Sequence, residues 1–147
     1  KSRNAYAKKN GVKVISDLQE LNDNSISFIN MEQVLEHLSD PLETLNQLKN
    51  KLTDGGLIRV AIPSGEGILT RIMKEKLYAK KSPVQVFEHI NCFNKKSIKK
   101  LANITGMELE KTSFIIQPCS SFKELLRLLY AYVWYLRKGN VFFLRKV

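Results

Sequence analysis

Only two imidazoles occur in the 147 residues, and each follows a glutamate: Glu36-His37 and Glu88-His89. An imidazole is the side chain whose ordinary pKa, ~6.5, best suits proton transfer to or from a substrate hydroxyl near neutral pH. For that work a neighbour must fix which ring nitrogen is free, and Glu36 or Glu88 is placed to do so. Asp17 offers an acceptor-only carboxylate, with a plain loop aspartate as the alternative. Cys92 and Cys119 lack metal-ligand spacing and are read as inert, and two cysteines cannot build a disulfide framework, so a reducing cytoplasm is the default location.

These residues sit in a chain of ordinary globular composition, 44% apolar and 26% charged, long enough for one domain with its own core. No run approaches the ~20 apolar residues of a membrane span. The amino-terminal Lys1-Ser2-Arg3-Asn4 has neither a Met nor a signal-like apolar stretch, so a fragment of a longer protein is expected. The net charge of +10 is uneven: residues 17–54 carry −6, residues 71–100 carry +7, and both ends are basic. Such a surface suits anionic partners, with a solvated lysine-rich face as the alternative.

The elements that must position the candidate residues follow from turn signals and periodicity. Residues 2–10 read as the end of a helix stopped by Asn10-Gly11. Val12–Ser16 and Ser25–Asn30 read as strands, the second apolar on both faces as buried parallel strands are. Asp40 caps a helix with Pro41 at its first position and Glu43 closing a capping box, and Leu42, Leu45, Leu48 and Leu52 make its apolar stripe. Asp54-Gly55-Gly56 turns the chain into the strand Leu57–Ile62, stopped by Pro63. A helix is expected over Ile68–Lys76, another over Lys95–Thr105 capped by Asn94, then a strand Met107–Gln117. Ser121 and Glu124 form a second capping box for a helix to about Leu136, and Val141–Lys146 is strand-like. Strands alternating with helices predict a doubly wound, mainly parallel α/β sheet with helices on both faces. Ligands bind beyond the carboxyl ends of such strands, which points to Ser16-Asp17, to Met31–His37 and to the loop Pro63–Gly67.

Those positions carry a pattern. Met31-Glu32-Gln33-Val34-Leu35-Glu36-His37-Leu38-Ser39-Asp40-Pro41, then Leu52-Thr53-Asp54-Gly55-Gly56-Leu57-Ile58, then Glu88-His89-Ile90-Asn91-Cys92-Phe93, and finally Thr105-Gly106-Met107-Glu108-Leu109 occur in this order. Together they resemble the class I S-adenosylmethionine-dependent methyltransferases, most closely the branch of the ubiquinone-pathway O-methyltransferases, over about residues 5–117. The resemblance implies a Rossmann-like fold and S-adenosylmethionine as cofactor. It implies that Asp17 accepts from the adenine amino group with the Leu18 N–H nearby, and that the backbone of Met31, Glu32 and Gln33 lines the methionine end. His37 follows a strand at its carboxyl end and His89 opens the segment that the family folds over the substrate, so the two would face one cleft as the catalytic pair. Some relatives place metal ligands on an E-x-x-E-H pattern with a later His. Here Gln33 replaces the first carboxylate and is a poor ligand for a hard cation, so no metal is assigned.

The family's glycine loop and ribose-binding acid are not found in the chain, which implies a domain lacking its first two strands: a core over 1–117, then a carboxyl-terminal helix and final strand over 118–147. Without that loop the chain alone is expected to bind the cofactor poorly and to be inactive. The expected function is methyl transfer to an oxygen of a small molecule or of a sugar or lipid precursor. The alternatives are an RNA methyltransferase, which lacks an RNA module here, and a non-catalytic domain of the same fold. Phe122–Leu136, apolar nearly all round, is either a lid or core helix or a membrane-surface contact aided by Arg127, Arg137, Lys138 and Arg145.

Overall fold

The two strands that carry the first candidate residues are held side by side by the helix between them, as a strand–helix–strand crossover requires. In the computed structural model, which describes residues 3–75, 84, 88–110, 121, 126 and 140–147, strand β1 is Ile26–Glu32 and strand β2 is Leu52–Ala61. They pair in parallel, with Phe28 opposite Leu57 and Met31 opposite Val60. Strand β3, Met107–Leu109, and strand β4, Val141–Lys146, complete a sheet of order β1-β2-β4-β3. β4 is antiparallel to both its neighbours, so β1, β2 and β3 run in one direction. The fold is the expected Rossmann-like, mainly parallel α/β type.

Helix α1 spans Arg3–Lys9 and stops at Gly11, whose φ of +75° is the left-handed turn glycine allows. Helix α2 spans Pro41–Lys51: Asp40 accepts the Glu43 N–H at 2.9 Å, and Pro41 fills the first position. The capping box forms only by half, because Glu43 Oε1 accepts from Gln47 Nε2 instead. Helix α3 is Ile68–Met73 and helix α4 is Lys95–Ile104. Asn94 and Ser97 cap α4 reciprocally, and the Lys49 ammonium of α2 donates to the Thr105 and Gly106 carbonyls at its end.

One apolar layer joins these pieces. Leu45 and Leu48 of α2 and Ile98 and Ala102 of α4 meet Met31, Ile58, Val60, Phe142 and Leu144, which share one sheet face. Each fully buried Leu or Ile contributes about 2 kcal/mol by removal from water. The opposite face shows Phe28, Asn30, Arg59 and Phe143, half-buried or exposed. Among the described residues no helix is long and apolar enough to cross a membrane.

Three expectations change. Val12–Ser16 is not a strand: no described strand pairs with it, and alternating apolar residues without a ladder partner stay irregular. β2 begins at Leu52 rather than Leu57, because Thr53–Gly56 bulge out between the Ile26–Leu52 and Phe28–Leu57 pairs. Gly55, at φ +72°, and Gly56, where a Cβ would lie 2.9 Å from the Thr53 carbonyl oxygen, permit that bulge. Arg145, expected among headgroup-facing cations, is instead paired with the Glu110 carboxylate and donates to the Gly55 carbonyl. The strand Met107–Gln117 is described only through Leu109, with the Glu110 N–H still donating to the Phe143 carbonyl. The helix Phe122–Leu136, its capping box and Cys119 lie outside the described residues except for Ser121 and Leu126.

Beyond β2 the chain enters a tight loop. The Gly65 N–H donates to the Phe93 carbonyl at 2.8 Å, and a Cβ on Gly65 would lie 2.5 Å from that oxygen and 2.7 Å from Cys92 Sγ. Gly67 has open space but a φ of +68°. Gly65→Ala is therefore expected to cost about 1–3 kcal/mol by overpacking, and Gly67→Ala about 1 kcal/mol by strain alone. Denaturant unfolding of both variants checks the order; equal losses would mean that Gly65 is not held against Phe93.

Candidate functional site

The residues beyond β1 do not run straight. Gln33 takes a left-handed φ of +53°, and its N–H donates to the Ala61 carbonyl at 2.8 Å, which ends the strand and turns the chain. Leu35–His37 then form a short 3₁₀ turn. Leu35 goes to the core and Glu36 goes inward with it, only 1% exposed, while His37 stays at the surface.

The segment 88–91 is laid against this turn by three hydrogen bonds. The Asn91 N–H donates to the Glu36 carbonyl at 3.0 Å, and Asn91 Nδ2 donates to the Leu38 carbonyl at 2.6 Å. His37 Nδ1 lies 2.5 Å from the Glu88 carbonyl oxygen. A carbonyl only accepts, so Nδ1 carries the proton in that bond and Nε2 is left as the basic nitrogen of the neutral ring. It is thus the backbone of Glu88, not a carboxylate, that orients the imidazole.

The structure brings His37 and His89 together: their rings meet edge to face with centroids 4.9 Å apart. Glu36 Oε1 lies 4.0 Å from His37 Nε2. Both Glu36 carboxylate oxygens and His89 Nδ1 are buried, with no hydrogen-bond partner among the described residues. One ligand atom from each of Glu36, His37 and His89 falls within 4.8 Å of the others. Such unpaired polar atoms are costly in a fold and concentrate at sites that receive a proton, an ion or a ligand. The Cys92 thiol is pushed up by burial, away from the reactive thiolate, which agrees with an inert role.

Asp17 and Leu18 stand on a separate turn, with no hydrogen bond or ion pair to the histidines among the described residues. Asp17 Oδ1 accepts the Gln19 N–H at 2.9 Å. Glu20 Oε1 accepts the Ser16 and Asp17 N–H groups at 2.8 and 3.0 Å, and these bonds hold the Glu20 carboxyl below its usual range. The Asp17 carboxylate and the Glu20 side chain thus cap the short turn Leu18–Glu20 reciprocally, while the Leu18 side chain packs on the core. At the end of β1, the Met31 side chain is buried in the core, Glu32 pairs with Arg59 at 2.5 Å, and Gln33 Nε2 reaches back to the Ala61 carbonyl at 3.4 Å. Their main chain and the exposed side chains of Glu32 and Gln33 lie at the carboxyl end of β1. Asp17 with Leu18 on this turn, and the backbone at the end of β1, are the groups that could hold the adenine and methionine ends of S-adenosylmethionine.

A family model for a methyltransferase domain matches residues 2–112, and the chain belongs to that family. Among solved structures, a SAM-dependent methyltransferase of Thermotoga maritima, described as a "possible histamine N-methyltransferase", is 25% identical with a TM-score of 0.54, over 71% of this chain and 50% of that one. SAM-dependent methyltransferases of Aquifex aeolicus (16% identity, TM-score 0.55, 96% of this chain and 58% of that one) and Methanosarcina mazei (14%, 0.54, 92% and 67%) share the fold. The chain thus spans half the length of the Thermotoga protein. No curated protein matches it.

Asn91 is the residue that sequence reasoning missed. Nothing in its type marks it, and only its place two residues after His89 hinted at a role. Asn91→Ala is expected to lower stability by about 1 kcal/mol, because the Leu38 carbonyl loses a partner in a half-buried setting. Amide exchange at residues 89–91 should speed up by about fivefold or more. Unchanged exchange there would mean that other contacts hold His89 in place.

Proposed function

We propose that the protein takes the methyl group of S-adenosylmethionine and places it on an oxygen of a small molecule or of a sugar or lipid precursor, with His37 and His89 handling the acceptor's proton. The observation that carries this is the histidine pair itself, stitched to the carboxyl-terminal side of β1 in a methyltransferase-family chain. S-Adenosylmethionine supplies a sulfonium-bound methyl, and the remaining work is alignment and removal of one proton. Asp17 and the Leu18 N–H suit the adenine, and the backbone of Met31, Glu32 and Gln33 suits the methionine portion. The His37 Nε2 lone pair, fixed by the Glu88 carbonyl, accepts the hydroxyl proton as the new C–O bond forms and the S–C bond breaks. His89 flanks that nitrogen. The resemblance to the ubiquinone-pathway O-methyltransferases favours an oxygen acceptor, whereas the Thermotoga protein, described as a possible histamine N-methyltransferase, favours an amine.

A second reading rests on Glu36. Two buried carboxylate oxygens without partners, facing two imidazoles, also suit a divalent cation held by Glu36, His37 Nε2 and His89. Gln33 supplies no further carboxylate to it. Chelation separates the two readings: turnover unaffected by EDTA supports the imidazole base, and turnover lost to EDTA and restored by a divalent metal supports the ion.

In the full-length enzyme, His37→Ala and His89→Ala are each expected to lower turnover by ~10²-fold or more, with cofactor affinity little changed in calorimetry. Lower stability with turnover intact would leave the pair a purely structural role.

A further inference from the structure

Helix α3 faces the wrong way for a helix that serves the core. Its apolar residues Leu69, Ile72 and Met73 recur at the spacing that forms one face of a helix, yet they are 72%, 47% and 84% exposed. None of its residues is buried. Arg71 and Lys74 occupy the opposite arc and are exposed as well. By contrast α4 turns Ile98 and Ala102 to the core and its four lysines outward. The starts of the two helices are tied together, by the Gly65 N–H to the Phe93 carbonyl and by the Lys95 N–H to Glu66 Oε1 at 3.2 Å. A protruding aliphatic wedge therefore belongs to a stretch whose exposed charges are Arg71, Lys74 and Glu75, and its start is tied to the start of α4, which carries four outward lysines.

We propose that α3 is a docking element for an anionic membrane surface, with Leu69, Ile72 and Met73 entering the boundary between headgroups and acyl chains while Arg71, Lys74 and the α4 lysines meet the headgroup phosphates. The wedge is aliphatic and contains no aromatic ring, so it offers acyl chains a fit and nucleobases no stacking platform. Its flanking cations complement an anionic headgroup layer, whereas packing α3 against α3 of a second copy would bring like charges together. The lysine and arginine stems are long enough to lie along the apolar surface with their charges at headgroup level. No membrane span is needed, and the contact is reversible by nature.

Sedimentation of the protein with phosphatidylcholine vesicles containing a third phosphatidylglycerol tests this, against vesicles of phosphatidylcholine alone. Binding is expected only to the anionic vesicles, with release at high salt because the headgroup attraction is screened. Each cation reversed among Arg71 and Lys74 should weaken binding by about fivefold. The double variant Leu69→Glu, Met73→Glu should bind at least tenfold more weakly while keeping the parent's circular dichroism and unfolding midpoint, since both residues are exposed. A double variant that binds as the parent does would overturn the proposal. So would vesicle binding that is independent of anionic lipid, retention of a single-stranded RNA oligonucleotide in preference to vesicles, or a dimer in light scattering that the double variant abolishes.

Discussion

The site depends on the seam between the turn Leu35–Leu38 and the segment Glu88–Asn91. Asn91 holds the carbonyls of Glu36 and Leu38, and His37 holds the carbonyl of Glu88. Two of these contacts are between groups that each need a partner once half-buried, so the seam satisfies the backbone and orients an imidazole at the same time. Separate the two segments and His89 leaves His37, the tautomer of His37 is no longer fixed, and Glu36 opens to water.

The sheet sets where that seam can form. Parallel pairing of β1 with β2 brings their carboxyl ends to the same edge, where an open α/β sheet receives ligands. The loop after β2 is drawn to Phe93 by Gly65, so the chain beyond β1, the loop beyond β2 and the segment 88–93 converge. The core beneath them is conventional, with α2 and α4 burying leucine and isoleucine against the sheet. Glu36 departs from that rule. A carboxylate buried at 1% exposure with neither oxygen bonded among the described residues lowers stability rather than raising it, and a fold tolerates that where the group has work to do.

Much of this was legible from local chemistry. Asp40 and Pro41 placed the start of α2 because a side-chain acceptor and a residue without an N–H suit a helix's first turn and little else. The apolar runs of β1 and β2 read as parallel strands because both faces carry apolar residues. What failed were features decided by partners. Val12–Ser16 has a strand's alternation and no described strand to pair with. Glu43 has the type and position for a capping box, but Gln47, one turn on, takes its carboxylate. The convergence of His37 and His89 was expected only because the resemblance puts one beyond a strand's carboxyl end and the other on the segment folded over the substrate. The device that achieves it was invisible, since a backbone carbonyl and an asparagine amide leave no signature in composition or spacing.

The central claim is that His37 presents a free Nε2 because Glu88's carbonyl takes its Nδ1 proton. Long-range proton–nitrogen correlation spectra of the neutral His37 ring read that directly. The account predicts a protonated Nδ1 and a lone pair on Nε2, with the pattern lost when the seam is broken by Asn91→Ala. A ring protonated on Nε2 instead, or one exchanging freely between tautomers, would contradict it.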